Sequence, residues 1–316
     1  MDIADIETFL MLVRTRNISK TAEKLYVSQP TVSHRLKQLE DELGMPLFVR
    51  KRGYKRVELT AKGEAFLSIA YRWLALMRET NNLWNSDDTV QLRIGTTNTL
   101  NAAVMSDLYR AILRDPSLNL SLNISTHYSY EIYELLENHT IDIGFVYHHL
   151  HFKNILSRPL LHEKMYLVQE AVEAVKKEKL HIAELDFQNE VYFVWESNYQ
   201  IWHEQNVAQG RSPRVEVDSS SLLSALLQDP GRWAICPLSV MEYLRTHCSV
   251  YVSEIADEVQ PPERITYVIR NKDANETKAA AMDLLTDQIR SYFQTRQWLN
   301  EASIPLTQGK ESPLSR

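Results

Sequence analysis

Glycine is scarce in this chain: eight residues in 316, at positions 44, 53, 63, 95, 144, 210, 231 and 309, with no two closer than nine apart. Phosphate-cradling P-loops and dinucleotide fingerprints crowd their glycines into about six residues, so both are excluded. Cysteine is scarcer still. Cys236 and Cys248 are the two present, without the paired spacing of a zinc site, and a reducing, cytoplasmic setting is the plain inference. Neither a Gly-x-Ser-x-Gly elbow nor a His-Glu-x-x-His segment occurs, so nothing in the sequence asks for an enzyme or a cofactor. No apolar run approaches the ~20 residues of a membrane span, and Met1 to Val13 carries Asp2, Asp5 and Glu7 where a secretion signal would be basic.

What is present divides by charge. A length of 316 residues points to about two domains, and the net charge of −6 is unevenly spread. Residues 1–85 hold 14 Lys/Arg against 10 Asp/Glu, and the remainder 21 against 31. The basic end is the one suited to a polyanion.

Within that end, Ser19 to Arg56 reads as a helix, a tight turn, a second helix and a basic wing. The first helix is expected to be capped by Ser19, to run through Ala22 and Leu25, and to stop near Val27. The second starts at its cap Ser28, carries Pro30 in the first turn, where a missing amide hydrogen costs little, and ends at Gly44. Val32, Leu36, Leu39 and Leu43 form its buried stripe. Thr31, Ser33, His34 and Lys37 lie on or beside the opposite face, and such a face can reach base edges and phosphates in a major groove. An ordinary solvated surface would show the same polarity. The sequel decides between them: Leu47 and Phe48 re-enter the core, and Arg50, Lys51, Arg52, Lys55 and Arg56 then crowd around Gly53 in a short hairpin pattern closed by Val57 and Leu59. A basic hairpin beside such a helix pair is a winged helix-turn-helix, whose wing neutralises phosphates. The candidate DNA-contacting residues are therefore Ser28, Gln29, Pro30, Thr31, Ser33, His34, Arg35 and Lys37 together with the five basic residues of the wing.

Ser19, Ala22, Leu25, Val27-Ser28-Gln29-Pro30, Val32-Ser33, Leu39-Glu40, Leu43-Gly44, Leu47-Phe48, Arg50, Leu59-Thr60 and Gly63, at these spacings over about sixty residues, resemble the N-terminal domain of LysR-type transcriptional regulators. The chain departs from that family's pattern at His34, where arginine is common.

Ile3, Ile6, Phe9, Leu10 and Val13 form a helical stripe on which the helix pair can pack. Beyond the wing, 61–85 is a second long amphipathic pattern containing Phe66, Ile69, Ala70, Trp73, Leu76, Met77, Leu83 and Trp84. A rod of about 36 Å with that much apolar surface is expected to pair with its copy in another subunit, the alternative being its own effector domain. Asn85-Ser86-Asp87-Asp88 then reads as a linker.

From Val90 strands alternate with helices, which predicts an α/β domain with largely parallel sheets. Strands are expected at 90–96, 118–124, 141–147, 191–195, 214–218, 232–236 and 263–270. Helices are expected at 101–114, 129–138, 199–208, 219–228, 238–246 and 275–298. Two similar halves and a leftover C-terminal unit suggest two lobes joined by two crossings, as in periplasmic-type binding folds, and the LysR-type effector domain has this layout. The expected divisions are a DNA-binding domain at 1–60, a linker helix at 61–86, lobe I at 87–162 plus 269–300, lobe II at 163–268 and a disordered tail at 301–316.

Pockets in such folds lie beyond strand C-termini, where helix starts present free amides. Thr97, Asn98 and Thr99 occupy one such place; Ser197, Asn198 and Ser219, Ser220 and Ser221 occupy two more, with Tyr147, Trp195 and Tyr199 as apolar walls. Helix capping accounts for the same hydroxyls, and convergence on one cleft is what favours a ligand. A small carboxylate is the expected ligand, held by neutral donors. His148, His149 and His151 lie close by, but neighbours in a strand point to opposite faces, so loop histidines are preferred over a metal site. Cys236, in an apolar run, reads as a small core residue and not as a sensor thiol.

The reading is a cytoplasmic, ligand-responsive transcription factor. The resemblance implies a homodimer or tetramer on an interrupted inverted repeat of double-stranded operator DNA, working with RNA polymerase and needing no membrane. The alternative is a small-molecule carrier or enzyme bearing a vestigial DNA-binding end.

Overall fold

The computed structural model describes residues 2–49, 57–84, 89–115, 118–171 and 177–295. They form two compact units, the second beginning at Thr89. The wing tip with Arg50, Lys51, Arg52, Lys55 and Arg56, the 85–88 linker and the 301–316 tail lie outside the described residues.

The N-terminal unit contains α1 (Ile3–Thr15), α2 (Ile18–Lys24), α3 (Gln29–Leu43), the antiparallel pair β1 (Phe48–Val49) and β2 (Glu58–Leu59), and α4 (Ala61–Trp84). Asp2 and Asp5 close a capping box on α1. The cap of α2 is Asn17, whose Oδ1 accepts from the Lys20 amide at 3.0 Å. The expected cap Ser19 is instead the second residue of the helix, and α2 ends at Lys24, not near Val27. For α3 the structure has the cap at Ser28 and a left-handed Gly44 (φ 65°) ending it, a conformation glycine adopts without a Cβ penalty.

Val32, Leu36 and Leu39 of α3 are buried with Ile6, Phe9, Leu47, Phe48, Phe66 and Ala70. Phe9 sits at the centre, its ring 5.5 Å from Phe48 and 5.2 Å from Phe66. The Glu40 carboxylate accepts the amides of Leu47 (2.7 Å) and Phe48 (3.2 Å), which fixes where the chain enters the wing. Gly63 has a packing reason: a Cβ there would stand 2.1 Å from the Leu47 carbonyl oxygen.

Part of the apolar stripe of α4 is spent inside its own unit. Phe66, Ala70 and Leu74 are buried in the N-terminal core and Trp73 packs against it. Among the described side chains of α4, the large apolar ones left exposed are Ile69 and Leu76, each 56% accessible. Of the stripe expected to pair with a second copy, Trp73 is thus half-buried against the core of its own unit.

The second unit begins with β3 (Val90–Thr96), α5 (Asn98–Leu100), a π turn and α6 (Ser106–Arg114), then β4 (Leu120–Thr126), α7 (Ser129–Glu137), β5 (Ile143–Val146) and β6 (Ile155–Glu163). It continues with β7 (Met165–Glu170), β8 (Lys179–Leu180), β9 (Tyr192–Phe193), α8 (Ser197–His203), β10 (Glu216–Val217) and α9 (Ser220–Leu226). It closes with β11 (Trp233–Pro237), α10 (Leu238–His247), β12 (Val250–Ile255), β13 (Arg264–Asn271) and α11 (Glu276–Thr295). One sheet has the order β4-β3-β5-β13-β6, the other β11-β7-β12-β8, with β9 and β10 as a separate parallel pair.

The sheets are mixed. β3 runs parallel to β4 and β5, whereas β13 is antiparallel to β5 and β6, and β7 is antiparallel to β11 and β12. The expectation of largely parallel sheets is corrected by β6, β7 and β12, for which the sequence pattern gives no strand. The whole of β13 belongs to the first sheet, so the second crossing precedes Arg264 and does not follow residue 268. The first crossing is at Lys164, between β6 and β7. Glu163 and Arg264, which flank the two crossings, are direct partners in the β6–β13 register.

Candidate functional sites

The exposed face at the start of α3 is the first site. Ser28, Gln29, Pro30, Ser33, His34 and Lys37 are exposed and Thr31 is half-buried. The Ser28 hydroxyl contacts the Thr31 amide at 3.3 Å and its hydroxyl at 2.8 Å, so those two groups first serve the helix start. Arg35 departs from the expected set. It is half-buried, and its Nη1 lies 3.5 Å from the Thr8 hydroxyl of α1, on the inner side of the helix. Tyr26, which spacing did not single out, is 96% exposed at φ 55° in the turn that leads into α3.

The second site is a cleft of about 690 Å³ between the two lobes, within the size range of small-molecule pockets. Lobe I contributes Thr97, Asn98 and Thr99 from the end of β3 and the first turn of the 98–114 helical segment, Tyr128 to Glu131 from the start of α7, and Tyr147 and His148 from the end of β5. Lobe II contributes Phe193, Val194, Trp195, Glu196, Asp218 and Ser219, and Arg264 comes from the second crossing.

Of the expected ligand residues, Thr97, Asn98, Thr99, Tyr147, Trp195 and Ser219 line the cleft. Ser197, Asn198, Tyr199, Ser220 and Ser221 do not. The reason is a one-residue shift: Glu196, not Ser197, holds the cap position of α8, which leaves Ser197 and Asn198 exposed elsewhere. Tyr199 is buried, 5.6 Å from the Trp202 ring, and burial raises its phenol well above the ordinary range. Ser220 is buried outside the cleft, and the Ser221 hydroxyl bonds that of Ser219 at 2.8 Å. The capping explanation also fails at the cleft itself. Neither the Thr97 nor the Ser219 side chain accepts a backbone amide of the helix it precedes.

Sequence reasoning missed Arg264. It is 5% exposed, with its guanidinium 3.4 Å from the Tyr147 ring centroid and 4.2 Å from that of Trp195, one aromatic from each lobe. Its Nε donates to the Glu196 carboxylate at 3.1 Å. Its Nη1 is buried with no partner, and the buried Tyr147 hydroxyl has the Thr97 side chain as its neighbour. Beside it, Glu163 is fully buried and accepts the Ser239 amide at 2.7 Å from the start of α10. Burial holds the Glu163 carboxyl above the usual range, opposed by the Ser239 bonds and the Arg264 charge. The only signal for Arg264 in the sequence is an arginine opening an apolar, alternating strand, and that signal names no partner.

The three histidines diverge. His148 lines the cleft, His149 bonds the Ser157 hydroxyl at 3.0 Å, and His151 is exposed. Among the described residues no three metal-ligating side chains converge. Cys236 is buried, and burial pushes its thiol far up, away from thiolate chemistry.

Comparison with known proteins bears on both sites. The family model described as a bacterial regulatory helix-turn-helix protein, lysR family, matches residues 3–64, and the LysR substrate binding domain model matches residues 86–293. The transcriptional regulator YraN of Bacillus subtilis, itself uncharacterized, is 24% identical over 244 residues, 75% of this chain and 81% of its own. BsdA of the same organism, an HTH-type regulator, is 33% identical over 146 residues, 45% of this chain and about half of its own length (49%). Among solved structures, full-length CbnR complexed with its target DNA superposes with a TM-score of 0.60 at 21% identity, covering 92% of this chain and 100% of that one.

Proposed function

This chain belongs to the LysR family of bacterial helix-turn-helix transcriptional regulators, and from that premise we propose that its cleft seats a small organic carboxylate against Arg264 and that this binding sets how it occupies its operator. Regulators of this family join a DNA-binding helix-turn-helix to an effector-binding domain, so the two sites have their general roles. The finer reading rests on one observation, a nearly buried arginine at the cleft with an unpartnered Nη1. An uncompensated buried donor is costly, and a planar carboxylate is the group whose geometry a guanidinium matches.

The cover over Arg264 supplies the switch. Tyr147 from lobe I and Trp195 from lobe II stack on it, so the in-plane N–H edge that a carboxylate meets is held in place by a ring from each lobe. Ligand binding is thereby tied to lobe position, which is what differential affinity for two states requires. Neutral donors at a helix start are one part of the site, and a full cation is the other.

On DNA, His34, Ser33, Gln29, Pro30 and Thr31 read base edges, and Ser28, Lys37 and the wing residues Arg50, Lys51, Arg52, Lys55 and Arg56 position the backbone. Arg35 orients α3 on α1. A homodimer gives each half-site of an inverted repeat its own α3, acting in the cytoplasm alongside RNA polymerase. Thermal-shift screening of carboxylates against wild type and Thr97→Val, followed by gel shifts with each hit, tests this. Hits weakened by Thr97→Val that alter DNA retardation support the reading; hits unaffected by it, or binding by amines alone, sink the site.

A further inference from the structure

The cleft is not simply basic. Glu131, Glu196 and Asp218 line it together with a single arginine, and of these carboxylates only Glu196 is paired with Arg264, at 3.1 Å. The other two stand at its exposed rim. Asp218, just after β10 in lobe II, accepts from the Tyr128 hydroxyl of lobe I at 3.4 Å. Glu131 accepts the Tyr128 amide at 3.2 Å and lies 3.7 Å from His127. Tyr128 and Tyr130 leave 71% and 59% of their surfaces exposed on the same rim.

A plain anion finds an attractive pole and a repulsive one in such a cleft. Exposed carboxylates beside open tyrosine faces are suited to an alkylammonium, which gains from both the charge and the ring quadrupole. The opposite pole is independent of them: the unpartnered Nη1 of Arg264, with the Thr97 and Tyr147 side chains lining the same cleft. Poles of opposite sign within one cleft of about 690 Å³ match a ligand that carries both charges.

We propose that the effector is an amino carboxylate, whose carboxylate takes Arg264 and Thr97 while its ammonium sits between Asp218 and the Tyr128 ring. This rests on the reading of the cleft as a carboxylate site and deepens it. Because Tyr128 and Asp218 already link the lobes across the rim, an ammonium at Asp218 replaces a weak tyrosine bond with a charged one that both lobes share.

The test is calorimetric and thermal-shift titration of the full-length protein with three matched sets: α- and ω-amino acids, their desamino carboxylates, and their decarboxylated amines. For the best amino acid, its desamino partner should bind at least about tenfold more weakly, the scale of one charge-assisted contact. Asp218→Asn, an exposed position, should erase that preference by weakening the amino acid, while the desamino carboxylate, relieved of a like charge, binds at least as tightly as to wild type. Equal binding of amino acids and desamino carboxylates, unaltered in Asp218→Asn, overturns the amphoteric ligand and leaves the carboxylate site standing. Amines that bind as tightly as amino acids, with Thr97→Val and Arg264→Lys both without effect, overturn the carboxylate site as well. No binding from any set at about 10 mM also overturns the proposal.

Discussion

Arg264→Gln separates what this residue contributes to the fold from what it contributes to the ligand. The substitution removes the ion pair with Glu196 and two stacking contacts, at 3.4 and 4.2 Å. Breaking a buried pair costs about 3–5 kcal/mol when the partner charge is stranded. The Glu196 side chain is 15% exposed and can turn partly to water, which moves the figure to the low end, and each lost cation–π contact adds about 0.5–2 kcal/mol. Gln recovers some packing, so a net loss of about 3 kcal/mol is expected, or roughly 6–12 °C in melting temperature for a domain of about 200 residues. The variant Arg264→Gln with Glu196→Gln removes the stranded carboxylate and should regain about half of that loss. Carboxylate affinity should not return with it: losing a charged donor costs about 1.5–3 kcal/mol, a factor of roughly 10–150. Melting curves and calorimetry of both variants check this. If the double variant regains stability and also binds carboxylates like wild type, Arg264 is a structural cation and the ligand lies elsewhere.

Three further outcomes follow from the geometry. His34→Ala should change preference at one or two base pairs by about 1–3 kcal/mol; uniform weakening on all sequences in a binding-site selection would make His34 a phosphate contact. Leu76→Glu, on the exposed side of α4, should shift the protein towards monomer in sedimentation without lowering its melting temperature, whereas Trp73→Glu should destabilise the N-terminal unit it packs in; the reverse pattern would refute the assignment of the two faces. Glu163→Gln keeps an acceptor for the Ser239 amide and removes a carboxyl whose folded pKa is raised, chiefly by burial. A raised folded pKa favours the native state at acid pH and loses that contribution as pH rises through it. The variant should therefore gain stability over wild type as pH is raised above the ordinary glutamate range, with convergence at the acid end; urea titrations showing a constant difference would contradict a titrating Glu163. The charged groups facing it are Arg264 and Glu196.

Much of the DNA-binding unit was legible because its determinants are local. Ser28, Pro30 and Gly44 mark the two ends of α3 within one turn each, and Val32, Leu36 and Leu39 state its buried face through spacing alone. The cap of α2 was misread because Asn17 and Ser19 both offer an oxygen at a plausible offset, and only the observed bond to the Lys20 amide distinguishes them. In the second unit β7 was unreadable for a different reason: all six of its residues are buried, Gln169 and Glu170 included, so the alternation that marks a half-buried strand is absent.

The amino-acid sequence by itself determined that one end of this chain is a basic winged helix-turn-helix and the other a two-lobed α/β domain, because caps, stripes and charge are properties of neighbours along the chain. It also placed Thr97, Tyr147, Trp195 and Ser219 near strand ends where ligands gather. Only the tertiary structure decided the site's charge. Arg264 lies 68 positions from Glu196 and well over a hundred from Tyr147 and Thr97, and no local pattern announces that two crossings bring them together. Stacking, desolvation and an unpartnered Nη1 are consequences of that meeting, and they turn a set of neutral donors into a cleft lined by a buried arginine as well as by carboxylates.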